Sequence, residues 1–186
     1  GIRDYKVTGV QTCALPISWD SAHVAKVDLV WENEGWTANC ELSRERAQVV
    51  IRLSASWMVQ QFILFRDLDE PDLWLATDGH GRWGEMNGAH RTELDGCVDV
   101  DIAGIPFTNV IPIRRLPLHV GHSARQNVIA VDLETLGVTV APQTYTKVAE
   151  ATWRYRSLAT GAEVDVDVDE FGFVLDETDA FRRTTR

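Results

Sequence analysis

Short apolar runs separated by turn residues fill most of this chain, and no stretch long enough for a large amphipathic helix interrupts them. Residues 27–31, 36–42, 49–53, 58–66 and 73–77 read as strands, followed by 82–85, 92–94 and 97–102. Further runs at 128–133, 138–148, 151–158, 163–168 and 173–175 complete the pattern. Asn33-Glu34-Gly35 marks a turn, Asp78-Gly79-His80-Gly81 a hairpin, and Asp95-Gly96 a second hairpin. In 163–169 the alternation is strict: Val164, Val166 and Val168 face inward, and Asp165, Asp167 and Asp169 face water. The run 58–66 carries apolar groups on both parities, which predicts cover on both faces. Regular short spacing of this kind predicts an antiparallel sheet curled into a barrel, sandwich or roll.

One segment departs from the strand pattern. Residues 107–118 read FTNVIPIRRLPL. Thr108 or Asn109 can cap a helix, and Pro112 is tolerated in a first turn. Arg114 and Arg115 stand where a helix C-terminus favours cations, and Pro117 stops the helix. The spacing predicts one short helix, buried through Val110, Ile111, Ile113 and Leu116.

The first seventeen residues stand apart. Residues 7–17 match the translation of a widely used short-read sequencing adapter, and residues 1–4 match the segment upstream of it. The expectation is that residues 1–17 are a translated adapter, not native protein, and pack on nothing. Residues 18–186 are then one domain, large enough to bury roughly 70% of its surface. The formal net charge is −10, which disfavours nucleic acid and anionic membrane faces as partners. No apolar run approaches the roughly 20 residues of a membrane span. Setting aside Cys13, Cys40 and Cys97 read as buried thiols, and a cytoplasmic location is expected.

Chemistry is sparse. Asp99 and Asp101 share one face of a strand, so they could do acid–base work or hold a metal. They could equally pair with Arg114 and Arg115, since a buried charge needs a partner. Residues 121–125, GHSAR, miss the second glycine of a nucleophile elbow. His119 and His122 have no nearby ligand to complete a zinc site, and no cofactor motif is present. Gln143 and Tyr145 share a strand face, as do Trp153 and Tyr155. Seven tryptophans could stack on sugars or line a lipid cavity, though strand cores also suit them.

A set of marks runs through the chain in order: Trp36-Thr37-Ala38, the strand from Phe62 to Phe65, Asp78-Gly79-His80-Gly81-Arg82-Trp83, and Leu94-Asp95-Gly96-Cys97-Val98-Asp99-Val100-Asp101. Pro106-Phe107-Thr108-Asn109, Pro112-Ile113-Arg114-Arg115-Leu116 and Gln143-Thr144-Tyr145 follow. This set resembles the bacterial glycolipid-binding family once known only as a domain of unknown function. The resemblance implies a spiral β-roll, a long antiparallel sheet wrapped around a single α-helix. It also implies a homodimer and a non-enzymatic protein that holds an amphiphile with a sugar-bearing head. The head-group candidates are Asp99, Asp101, Asn109, Arg114 and Arg115, with Gln143 and Tyr145 behind them. Phe107, with Phe62, Phe65 and the tryptophans, would line the apolar part. An enzyme using the Asp99/Asp101 pair and a ligand-free dimeric scaffold are the alternatives.

Overall fold

The computed structural model describes residues 14–20, 25–43, 46–66, 71–177 and 181–184. The chain runs through β1 (Ala14–Asp20), β2 (Ala25–Glu32), β3 (Gly35–Leu42), β4 (Ala47–Ser54), β5 (Val59–Arg66), β6 (Leu73–Thr77) and β7 (Trp83–Glu85). A 3-10 turn at Thr92–Leu94 leads to β8 (Asp99–Ile102) and then to α1 (Phe107–Arg115). The return path is β9 (Ser123–Val131), β10 (Val138–Ala149), β11 (Thr152–Ser157), β12 (Glu163–Val168), β13 (Val174–Glu177) and β14 (Phe181–Arg183).

The fourteen strands among the described residues form one sheet, in the order β7-β6-β5-β4-β3-β2-β1-β14-β13-β12-β11-β10-β9-β8. The chain therefore starts at the centre, meanders out to one edge, crosses to the other edge and meanders back. Trp19 and Arg183 meet where β1 pairs with β14. Laid flat, strands ~4.8 Å apart would separate β7 from β8 by about 60 Å. The link between them, residues 86–98, spans at most about 45 Å even when fully extended. The sheet must curl, and hydrogen bonds close the gap. The Trp83 indole Nε1 donates to the Cys97 carbonyl at 2.9 Å, and the Gly96 amide donates to the Gly81 carbonyl at 2.8 Å. The result is the β-roll that the resemblance implies.

The concave face carries Val27, Leu29, Ala38, Cys40, Val49, Ile51, Leu53, Phe62, Leu64 and Leu75, all buried. Each fully buried aliphatic side chain contributes roughly 1.5–3 kcal/mol relative to exposure. The helix lies in this same core through Phe107, Val110, Ile111 and Ile113. Val166 and Val168 also face inward, while Asp165 and Asp167 are exposed, as the alternation predicts. Cys40 and Cys97 are free, buried thiols.

Several expectations need correction. Residues 1–17 do not all lie free of the fold. Residues Ala14 to Trp19 pair with β2, and Ile17 is 3% exposed within the core. A strand requires only free backbone groups and apolar side chains on the inner parity, whatever nucleotides encoded them. Residues 1–13, including Cys13, lie outside the described residues. Thr92–Leu94 is a 3-10 turn, so Asp95-Gly96 joins no hairpin. In β5 only Phe62 and Leu64 of the central residues are buried; Ile63 and Phe65 are half-buried, so the second face is not covered. The sheet is not wholly antiparallel, since β8 and β9 pair in parallel. Parallel neighbours need a crossover connection, and α1 is that connection.

The helix also starts earlier than expected. Its cap is Pro106, with no side-chain cap bond, and Pro112 sits at the sixth helical position rather than in the first turn. The first turn closes on backbone, with the Thr108 amide on the Ile105 carbonyl and the Asn109 amide on that of Pro106, each at 3.0 Å. An interior proline forfeits one helical hydrogen bond and costs about 3 kcal/mol. Here tertiary packing decides, because Phe107, Val110, Ile111 and Ile113 are enclosed.

The β2–β3 hairpin offers a direct test. Asn33 and Glu34 have φ of 48° and 59°, the left-handed pair of a type I′ turn. A Cβ on Gly35 would lie 2.3 Å from the Leu53 carbonyl oxygen. Gly35→Ala is expected to destabilise the fold by about 2 kcal/mol or more in denaturant titration. Glu34→Gly is expected to be neutral or to raise Tm by a few degrees, because glycine relieves the positive φ (roughly 0.5 kcal/mol).

Candidate functional site

The strand β8 places Asp99 and Asp101 on one face and Val100 and Ile102 on the other. Parallel pairing of Asp99 with Val128 brings Asp99 beside Gln126 of β9. Asp99 is 1% exposed. Its Oδ2 accepts from Arg115 Nη2 at 2.5 Å and from Gln126 Nε2 at 2.7 Å. Arg115 Nη2 also donates to Gln126 Oε1 at 2.6 Å, so the three side chains close a triangle. Burial pushes the Asp99 carboxyl above its ordinary range, and the guanidinium and the amide pull it back. Asp99 Oδ1 and Arg115 Nε are buried without a hydrogen-bond partner among the described residues.

Asp101 is held differently. Gln143 Nε2 donates to its Oδ2 at 2.5 Å and lies 3.2 Å from the Tyr155 hydroxyl. Gln143 pairs with Gln126 across β9 and β10, and Tyr145 pairs with Tyr155 across β10 and β11. The Tyr145 hydroxyl donates to Asn109 Oδ1 at 2.7 Å. Because backbone closes the helix start, Asn109 is released from capping and reaches this row. Asp99, Asp101, Gln126, Gln143, Tyr145 and Tyr155 thus form a polar strip across β8–β11, joined by Asn109 and Arg115 from the helix. Burial raises the Asp101 carboxyl too, opposed by Gln143 and Thr108.

Arg114 does not join that strip, contrary to the expected pairing of both arginines with the two aspartates. Its guanidinium carbon lies 4.3 Å from the Trp57 ring centroid and 5.3 Å from that of Phe173, and Nη1 donates to the Phe171 carbonyl. Adjacent residues on a helix point about 100° apart, so one arginine meets the polar strip and the other an aromatic wall. Phe107 belongs to that wall, 6.2 Å from Trp57 by ring centroids. The row extends from Trp57 to Trp36 at 5.8 Å and on to Trp31 at 5.0 Å. Phe62 packs on Trp83 in the buried core, and Phe65 is half-buried on β5's outward parity. Trp19, Trp57, Trp83 and Trp153 are buried, so the core holds four of the seven tryptophans, three of them on strands and Trp57 in the β4–β5 connection.

Sequence reasoning missed Gln126. Its signal was a polar residue in register with Val128 on a strand otherwise closing over the core. The weaker motifs do not assemble. Ser123 opens a strand rather than a helix and bonds Thr146 at 2.7 Å, so residues 121–125 are not an elbow. Among the described residues, no group of three or more His, Cys, Asp or Glu could hold a metal ion.

The family description "Putative glycolipid-binding" matches residues 17–183. The chain belongs to this family. A solved structure, a DUF1089 family protein from Pseudomonas aeruginosa, is similar over 98% of this chain and 100% of its own, at 26% identity and a TM-score of 0.73. A search of curated proteins found no match. Among the described residues, no helix is long and apolar enough to cross a membrane.

Two outcomes test the strip in this family member. Arg115→Met is expected to cost about 3–5 kcal/mol in chemical unfolding, since it strands Asp99 as a buried unpaired charge. Restoring Asp99→Leu in that background should recover much of the loss. Among the described residues, Asp101 has no ion-pair partner. Its folded carboxyl binds a proton more tightly than the unfolded chain, whose ordinary value is about 3.9. Its ionisation therefore opposes folding above the folded value, and that opposition fades as pH falls toward the unfolded value. Asp101→Asn is expected to be more stable than the parent at neutral pH, with the advantage shrinking toward pH ~4 in thermal melts.

Proposed function

We propose that this protein binds an amphiphile with a sugar-bearing head and does no chemistry on it. The observation that carries the reading is the contrast across α1. One flank offers a strip of hydroxyl, amide and carboxylate groups; the other offers the partly exposed Trp36 and Trp31, backed by the buried Trp57 and Phe107. A glycolipid needs both kinds of surface, because its sugar requires hydrogen-bond partners and its chain requires apolar walls. Asp101, Asn109, Arg115 and Tyr155 are the half-buried members of the strip, and with Arg115 engaged by Asp99 and Gln126 the other three are the ones a head group can reach. Family membership supports the same ligand class.

The acid pair gives an enzymatic reading little to stand on. Asp99 is enclosed and occupied by Arg115 and Gln126, which leaves no paired carboxylates open to one substrate. That same closed triangle favours a second reading, a scaffold whose interior is filled by its own side chains. The homodimer that the resemblance implies belongs to either reading. The two free buried thiols support a reducing, cytoplasmic setting.

Native mass spectrometry separates binding from scaffold. Protein incubated with a polar lipid extract is expected to carry a sugar-lipid adduct, and Asn109→Ala should weaken that adduct several-fold (about 1 kcal/mol). A protein that emerges bare from every lipid mixture, including neat octyl β-glucoside, would be the scaffold.

A further inference from the structure

Arg114 is an odd cation for an acidic protein. A largely enclosed guanidinium in a chain of net charge −10 would be expected to hold a carboxylate. Among the described residues, none lies within ion-pair distance of it, and its Nε is buried without a partner. Asp169 attracts it from farther off but is already committed. Asp169 Oδ2 takes Arg183 Nη1 at 2.6 Å, and its Oδ1 accepts the Phe171 and Phe173 amides, each at 2.9 Å. What surrounds the Arg114 guanidinium is aromatic: Trp57 and Phe173 against it, with Trp36 and Trp31 continuing outward.

Three features mark this rim as built to receive something. Trp57 holds a left-handed backbone (φ 65°), a conformation strained for a bulky residue that persists only where its surroundings enforce it. That conformation directs the indole to the guanidinium. Trp31 and Trp36 are half-exposed at an edge-to-face contact, which leaves indole surface for a flat-sided partner. Met58 and Phe171 extend the apolar surroundings, at 37% and 47% exposed.

The geometry points to an anion-receiving rim, where Arg114 takes a phosphate, sulfate or carboxylate on the head of the bound amphiphile and Trp36 stacks on its sugar ring. This rests on the amphiphile reading and adds the charge of the head group. A cationic head does not fit, because Arg114 already covers the Trp57 face and would repel it. A purely apolar ligand would desolvate the Arg114 donors that the Phe171 carbonyl does not take. The overall negative charge argues against docking on an anionic bilayer surface, so the occupant is a single lipid molecule whose head is held at this rim.

The test uses the full chain and two soluble probes below their micelle concentrations, octyl β-glucuronide and octyl β-glucoside, measured by calorimetry. The glucuronide is expected to bind roughly tenfold tighter than the glucoside. Arg114→Gln should abolish that preference, bringing glucuronide affinity down to that of the glucoside measured on the same variant, and Arg114→Lys should keep part of it. Equal affinities in the parent protein, or a preference that survives Arg114→Gln, overturn the anion site and leave the amphiphile reading standing. Failure of the parent to bind either probe overturns both. Should Arg114→Gln not fold, the parent protein still decides. Raising salt from about 0.05 to about 0.5 M should weaken the glucuronide and spare the glucoside, and parallel responses overturn the site. Glucuronate without its octyl chain should bind at least tenfold more weakly than octyl glucuronide; equal binding would make the ligand a free acidic sugar and overturn the lipid assignment.

Discussion

The ion pair between Asp99 and Arg115 ties together the parts that make this a roll. Asp99 belongs to the strand at one edge of the sheet, Arg115 to the last turn of the helix, and Gln126, which bonds both, to the strand beside that edge. These are the three elements of the crossover that carries the chain from β8 to β9. A charge buried this deeply is tolerated only while its partner stays, so loss of either side leaves an uncompensated ion in the core. The helix end is thereby fixed against the edge strand, and the sheet wraps around a plug that cannot slide. Trp83 bonding the Cys97 carbonyl secures the same place from the opposite edge.

Two adjacent arginines then divide the work. Arg115 is spent inside, satisfying the edge strand. Arg114 faces the other wall, where aromatic rings shelter it without neutralising it. An aromatic face stabilises a cation more weakly than a carboxylate would and leaves its charge available. The fold therefore commits one guanidinium to the edge strand and lays the other against the buried Trp57 ring.

The family and the similar solved structure agree on architecture, and architecture does not name a ligand. What narrows the ligand is the chemistry of the walls around one helix: a hydrogen-bonding strip, an aromatic row and an unneutralised cation. Each would demand something different of a partner, and the acidic sugar lipid proposed above would answer all three.

Local patterns in the sequence determined a good deal. Alternation placed Val166 and Val168 inside, Asp-Gly-His-Gly made the β6–β7 hairpin, and the run with Pro112 and two arginines marked the single helix. The nearness of Asp99 to Arg115 was also legible, because a buried acid is stabilised by a cation, whereas Asp101 on the same strand is held by Gln143 instead. Only the tertiary structure decided the parallel β8–β9 pair, the 3-10 turn at Thr92–Leu94, the place of Gln126 in the strip, and the inclusion of Ile17 in the core. It alone sent Arg114 to Trp57 rather than to Asp101. The reason is one of range: side-chain period and turn chemistry are properties of a few consecutive residues, whereas which wall a helical side chain meets depends on strands far away in the chain, brought there by the curl of the whole sheet.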